Sequence, residues 1–268
     1  NAVAPELVTA FGLGAYLSWS ADENEPAYLP FPPGVLYQYA AVNYTGDDGA
    51  LYPYGHALPF AQSSTPLASP ANLTGEAALV NALDMPAGAT LDCLTEPIVT
   101  SRGVQIIPFS SNGRPAAVAS SSSPTTISFP ADARATYITF LHTVNRQPDA
   151  GGMHGNNTAY NTISPGRYQL IFDEGTVDVT LKFRDNIIDW NNTDLPRHAE
   201  LGLFGTAAGA YQINIPTLTW RNPHPDWTLT GIKVYAGDRT SPTQVLINGQ
   251  PVDVPAMNLY LLGVSLEH

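Results

Sequence analysis

"GRYQLIFDEGTVDVTLKF", residues 166–183, alternates large apolar residues with polar ones on either side of Asp173-Glu174-Gly175. Tyr168, Leu170 and Phe172 share one side of the first run. Val177, Val179, Leu181 and Phe183 share one side of the second. A period of two puts every second side chain on the same face of a strand, and a Gly-containing tripeptide between two such runs is a turn signal. The segment reads as a β-hairpin with one buried face.

The same pattern extends in both directions. "RGVQIIPF" (102–109), "TTISFP" (125–130) and "ATYITFLHTV" (135–144) are rich in Val, Ile, Thr, Phe and Tyr and read as strands. So do "AYQINIPTLTW" (210–220), "LTGIKVYAG" (229–237), "TQVLIN" (243–248) and "LYLLGVSL" (259–266). "SSNGRPAAVASSSSP" (110–124) is turn and loop, and no internal repeat is visible. Many short strands with Gly/Pro turns and little helix predict an all-β chain, an antiparallel β-sandwich or jelly roll with long irregular loops.

Residues 1–97 are less regular. "PAYLPFPPGVLYQYAAVNYTGDDGALYPYGHALPF" mixes aromatics, prolines and turn residues, with short strands expected at 35–44. "TGEAALVNALDM" (74–85) is the best helix candidate, with Thr74 as its cap, Glu76 in its first turn and Pro86 after its end. So proline-rich a segment is not expected to fold alone. It is read as an irregular layer packed on the sandwich of residues 98–265. Leu266-Glu267-His268 (266–268) reads as the start of an expression tag.

Composition narrows the function. The chain has 268 residues, 22 glycines and 24 prolines, and only 13% charged residues, about half the usual share. Its polar surface must come from Ser, Thr, Asn, Gln and backbone, which suits a secreted, extracellular or periplasmic β protein. The formal charge of −12 disfavours nucleic acid as a partner, because phosphate binding needs clustered Lys and Arg. Neutral glycans, or a structural Ca²⁺ held by carboxylates, fit the charge better. No apolar stretch is long enough for a membrane span. Cys93 is alone, so it forms no internal disulfide and reads as a small buried hydrophobe.

"TWRNPHPDWTLTGIKVYAG" (219–237) places Trp220, His224 and Trp227 around two X-Pro bonds. Trp220, at a strand end, is expected to fill the core. Asn222-Pro223-His224-Pro225 make a rigid corner, because each proline fixes its own φ and restricts its neighbour. Asp226 can accept backbone N–H bonds in that turn. A ligand role for His224 or Trp227 stays open beside this structural reading.

In order and spacing, "GVQIIPF", "ATYITFLHTVNR", "GRYQLIFDEGTVDVTLKFRDNIIDW", "LTWRNPHPDWTLTGIKVYAG" and "LYLLGVSLE" resemble the galactose-binding-like β-jelly-roll accessory modules of bacterial glycoside hydrolases and related polysaccharide-degrading enzymes. Such modules carry an "FLH" strand, a hairpin, a "DWW" segment and a "WENPHPD" corner. This chain has Asn191 for the second Trp of "DWW" and Arg221 after Trp220. The resemblance implies a non-catalytic module that binds a polysaccharide or oligosaccharide, or that packs beside a catalytic domain of the same parent chain. No cofactor is expected besides a structural Ca²⁺.

The residues suggest where a sugar would sit. Trp190 follows "RDNIID" on an expected loop. An exposed Trp there would offer a flat apolar face to a pyranose ring, with Arg184, Asp185 and Asp189 to bond its hydroxyls. His224 and Trp227 form a second candidate, and Tyr16 with Trp19 a third. Asp22, Glu23 and Glu25 could ligate Ca²⁺ through oxygen, although the EF-hand pattern is absent. The alternative function is a polysaccharide lyase or glycoside hydrolase with its cleft on the sandwich. His142, His154, His198 and Tyr160 are then the groups that could carry proton transfer, or a pair of carboxylates could.

Overall fold

The computed structural model describes residues 61–100, 102–120, 124–145, 163–192, 196, 199–207, 211–236, 244–247, 249–254 and 257–268. The strands expected at 35–44, Tyr16, Trp19 and the Asp22–Glu25 acids lie outside these residues, as do His154, Tyr160 and His198. In chain order the first strands are short: β1 (Ser64–Pro66), β2 (Ile98–Val99), β3 (Gln105–Ile106), β4 (Ser110–Ser111), β5 (Arg114–Pro115), β6 (Val118–Ser120) and β7 (Thr125–Ser128). The longer ones follow: β8 (Tyr137–Val144), β9 (Gly166–Phe172), β10 (Thr176–Leu181), β11 (Glu200–Ala207), β12 (Tyr211–Arg221) and β13 (Leu229–Ala236). A hairpin of β14 (Gln244–Ile247) and β15 (Gln250–Asp253) precedes β16 (Leu259–Glu267).

Two antiparallel sheets make the sandwich. The larger runs β1-β16-β8-β12-β11, with β6 also on β16; the smaller runs β10-β9-β13-β7. The chain changes sheet between β6 and β7, β7 and β8, β8 and β9, β10 and β11, β12 and β13, and again before β16. This repeated crossing gives the jelly-roll character expected from the strand pattern. The hairpin quoted at the outset is β9–β10, with Val179 opposite Tyr168 and Val177 opposite Leu170.

The inner core lies between the sheets. Tyr168, Leu170 and Phe172 of β9 meet Ile138, Phe140 and Val144 of β8, with Leu218 and Trp220 of β12. Phe140 and Tyr168 stack with ring centroids 4.7 Å apart. Trp220 is fully buried, as expected for a strand-end tryptophan filling a core.

The larger sheet is also covered on its outer face. Leu141 of β8, Ile213 and Ile215 of β12, and Tyr260 and Leu262 of β16 pack under Leu79, Leu83, Leu91, Leu94, Ile98 and Ile106. The covering layer includes helix α1 (Glu76–Ala82) and a 3-10 turn (Asp92–Leu94). A bulge between Leu261 and Gly263 reseats β16 on β8, and a Cβ at Gly263 would come within 2.8 Å of Ile106 in the layer. The close approach requires glycine there.

Three expectations are corrected at this level: first, the stretch 110–124 read as turn and loop carries β4, β5 and β6, the last of them paired to β16. The helix spans 76–82 rather than 74–85, and its N-cap is Gly75; Thr74 instead bridges to Ala117. Leu266 and Glu267, read as the start of a tag, are the last residues of β16: Leu266 is in the inner core and Glu267 is buried and ion-paired. Strand β11 has no counterpart among the strands expected from sequence. Among the described residues no helix is long and apolar enough to cross a membrane.

Candidate functional site

The segment after β10 turns inward. Lys182 N–H donates to Asn186 Oδ1 (2.8 Å), and Arg184, at φ 60°, closes the turn by donating its N–H to Ile187 O (2.7 Å). A left-handed φ on a non-glycine residue is uncommon and marks a tightly specified turn. The turn buries Asp185, Asn186 and Asp189. Asn192 Nδ2 donates to Asp189 Oδ1 at 3.3 Å. Burial pushes the Asp189 carboxyl up to about 6, against the opposing pull of Asn192, backbone N–H and Arg184.

Trp190 is not the exposed platform expected from sequence. Its side chain is 5% exposed, packed in the outer core. Its indole N–H donates to Leu83 O at 2.7 Å, and Tyr260 Oη donates to Ala82 O at 3.2 Å. The last carbonyls of a helix have no partner within it, so Trp190 and Tyr260 supply partners for the end of α1. The physical reason for the correction is that α1 lies over the loop, which nothing local to "RDNIIDW" reveals. Asp185 and Asp189, grouped with Trp190 as hydroxyl-binding residues, are buried with it, and Arg184 is half-buried.

His142 also faces inward. Its Nε2 lies 3.0 Å from Asn186 O, and its Nδ1 lies 2.8 Å from Tyr168 Oη. A carbonyl only accepts, so Nε2 carries the proton and Nδ1 accepts from the tyrosine hydroxyl. Burial lowers the His142 pKa to about 4, so the ring is neutral near pH 7. The ring ties β8 to β9 and to the turn at 182–187.

The β12–β13 corner remains partly open to solvent. Asn222 Oδ1 accepts from His224 N–H (2.9 Å), and Asn222 Nδ2 donates to Ala135 O (2.8 Å) and His224 O (3.1 Å). The side-chain acceptor that shapes the turn is therefore Asn222, while Asp226 is exposed. The His224 and Trp227 rings stack at 3.7 Å and 8°. Trp227 sets an edge against Phe172 at 5.8 Å. Asp173 Oδ1 accepts from Thr228 N–H (3.0 Å), fixing the β9–β10 turn beside the pair. Half-buried His224 and Trp227 thus share the corner with exposed Asp173, Glu174 and Asp226.

Sequence reading missed the buried ionic cluster on the outer face of the larger sheet, at the end away from α1. Arg102, Glu200 and Glu267 meet there among Thr139, Thr217, Thr219 and Ser265, all buried. The signals available were an acid opening one strand and another closing the last, but their pairing is a product of the fold. Among the described residues no three His, Cys, Asp or Glu side chains are grouped to hold a metal ion. No family profile, curated protein or solved structure matches the chain.

Proposed function

We propose that the chain is a non-catalytic, carbohydrate-associated β-sandwich module of a larger secreted polysaccharide-degrading protein, and that it touches glycan through the His224–Trp227 corner. The observation that carries the reading is this stacked, half-exposed pair held in a rigid turn with Asp173, Glu174 and Asp226 exposed around it. Sugar C–H faces pack on aromatic rings, and carboxylates accept hydrogen bonds from ring hydroxyls. The pair is set by Asn222 and by Phe172, so little ordering cost attends binding. The order of strand and corner motifs supports the same reading.

The lyase or hydrolase alternative needs acid and base groups open to substrate. Among the described residues, the acids with shifted acidity, Asp189 and Glu200, are 3% and 2% exposed, which favours the non-catalytic reading. The test is a glycan array on the whole chain, followed by calorimetry on any hit. Glu174→Gln, Asp226→Asn and Trp227→Ala are expected to weaken binding while the chain stays folded. Glycan binding that survives all three would move the site elsewhere. An array without a hit, together with capture of the parent's catalytic domain, would make the module a docking unit.

A further inference from the structure

Arg102 projects from the turn of the β2–β3 hairpin, where Gly103 at φ 83° donates its N–H to Thr100 O. It reaches down through the covering layer to the sheet. Its fork is committed to Glu267: Nη2 pairs with Oε2, and Nη1 donates to Oε1 (3.3 Å) and to Thr219 Oγ1 (3.0 Å). Thr139 Oγ1 also donates to Glu267 Oε1, which leaves the Thr219 hydroxyl to donate to Thr139 (2.8 Å). Glu267 is therefore fully hydrogen-bonded.

Glu200 is not. Its nearest cationic contact is Arg102 Nη1 at 3.6 Å, too long for a hydrogen bond. Neither carboxylate oxygen takes a hydrogen bond, and the Ser265 hydroxyl is likewise unpartnered. All three charged groups are at most 2% exposed. One guanidinium thus serves two carboxylates. With both ionised, the cluster buries a net negative charge, which is costly in a low-dielectric interior. Among the described residues, the groups on the neighbouring elements do not relieve it. Strand β12 faces Glu200 with Thr217, the 3-10 turn beside β11 brings exposed Asp92 and the half-buried Cys93 thiol, and β2 brings nothing titratable.

We propose that Glu200 is a proton-operated clamp: while it carries a proton, Arg102 stays on Glu267 and pins the 98–106 hairpin to the sheet, and when the proton leaves, the second charge loosens that hairpin. Burial is the main cause that raises the Glu200 carboxyl to about 7; Glu267 adds to the rise and Arg102 opposes it. The sign follows. A carboxyl whose pKa is raised in the closed state favours closure most below its ordinary pKa of 4.5, and this support is lost as pH rises through about 7. The device is independent of the sugar-binding corner, so either reading can fail alone.

The test is amide hydrogen exchange, as protection factors, on the full chain from about pH 5 to 8.5. Protection at Gly103 and Val104 is expected to fall roughly tenfold or more and then level off above neutrality, following linkage. Glu200→Gln should keep protection high and flat across the range, while Asp189→Asn should keep the wild-type fall. Infrared spectra of the Asp189→Asn chain supply a second readout, in which the other buried acid with a raised carboxyl is silent. A buried protonated-carboxyl C=O band at pH 5 should vanish by pH 8.5. Hairpin protection that ignores pH, a Glu200→Gln variant that keeps the wild-type fall, or the absence of that band would each overturn the proposal.

Discussion

The two faces of the larger sheet are built differently. The inner face meets the smaller sheet through apolar and aromatic groups almost throughout: Phe140, Leu218, Trp220, Leu261 and Val264. The outer face is apolar only at the end under α1, where Leu141, Ile213, Ile215 and Leu262 lie. Its other end carries Thr139, Thr217, Thr219, Ser265, Glu200 and Glu267, closed over by Arg102. Both faces are buried, but they respond to different variables. Apolar burial is indifferent to pH, whereas a buried ion cluster stays together only while its charges balance. The sandwich is therefore the constant part of the molecule, and the covering layer is the part whose attachment can be tuned.

The sharpest way to break this contrast is Trp220→Ala. Truncating a fully buried aromatic should cost about 3–5 kcal/mol in denaturant unfolding, equally at pH 5 and pH 8. A loss under about 1 kcal/mol would mean the inner core is not continuous. On the outer face, Arg102→Met should cost a similar ~3–5 kcal/mol near neutral pH, because it strands two buried carboxylates. Its penalty should shrink at low pH, where Glu200 carries a proton and one charge fewer is stranded, and a pH-independent penalty would contradict the distinction between the faces.

Asp189→Asn sharpens the comparison further. With its carboxyl raised from 3.8 to about 6, Asp189 favours folding below the lower value and loses that contribution as pH rises through about 6. The variant should be more stable than wild type above that window by up to about 3 kcal/mol, the equivalent of two pH units, and should show a shallower slope across it, the remainder belonging to Glu200. Urea midpoints between pH 4 and 7 measure this. Trp190→Phe keeps most of the packing but removes the donor to Leu83 O, so a loss of about 1–3 kcal/mol is expected. Exchange protection should drop first at the end of α1. The smallest effect is at Trp227, where Ala should cost about 1 kcal/mol, because the ring is only partly buried. A large loss would place that ring in the core and remove it as a sugar contact.

The smaller sheet was legible because its outer face meets water. Arg167, Gln169 and Asp178 alternate with Tyr168, Leu170 and Val179, so period and face can be read together. Strands β8 and β16 are buried on both faces, and "YITFLHTV" and "LYLLGVSLE" show no such alternation. They could be recognised as strands, but their second covering could not. Strand β11, "ELGLFGTA", escaped because two glycines interrupt it.

The candidate sites divide the same way. The 222–227 corner is local, made by Asn222 on its immediate neighbours, and its ring pair was visible in sequence. Trp190 was misjudged because its partner, Leu83, is 107 residues away. Arg102 and Glu267 are 165 residues apart, and no local pattern announces that they meet.

Strand β16 separates the two cores and also carries β1 and β6, with Ser64 of β1 opposite Glu267. In kinetic terms it is the keystone of both layers. Until it docks, β8 presents an open edge, and both apolar layers lack Tyr260, Leu261, Leu262 and Val264. Closing so long a loop is slow, and an unpaired central strand is a template for other chains. Any interval in which β16 is undocked is therefore the dangerous one, and aggregation during refolding should track its length.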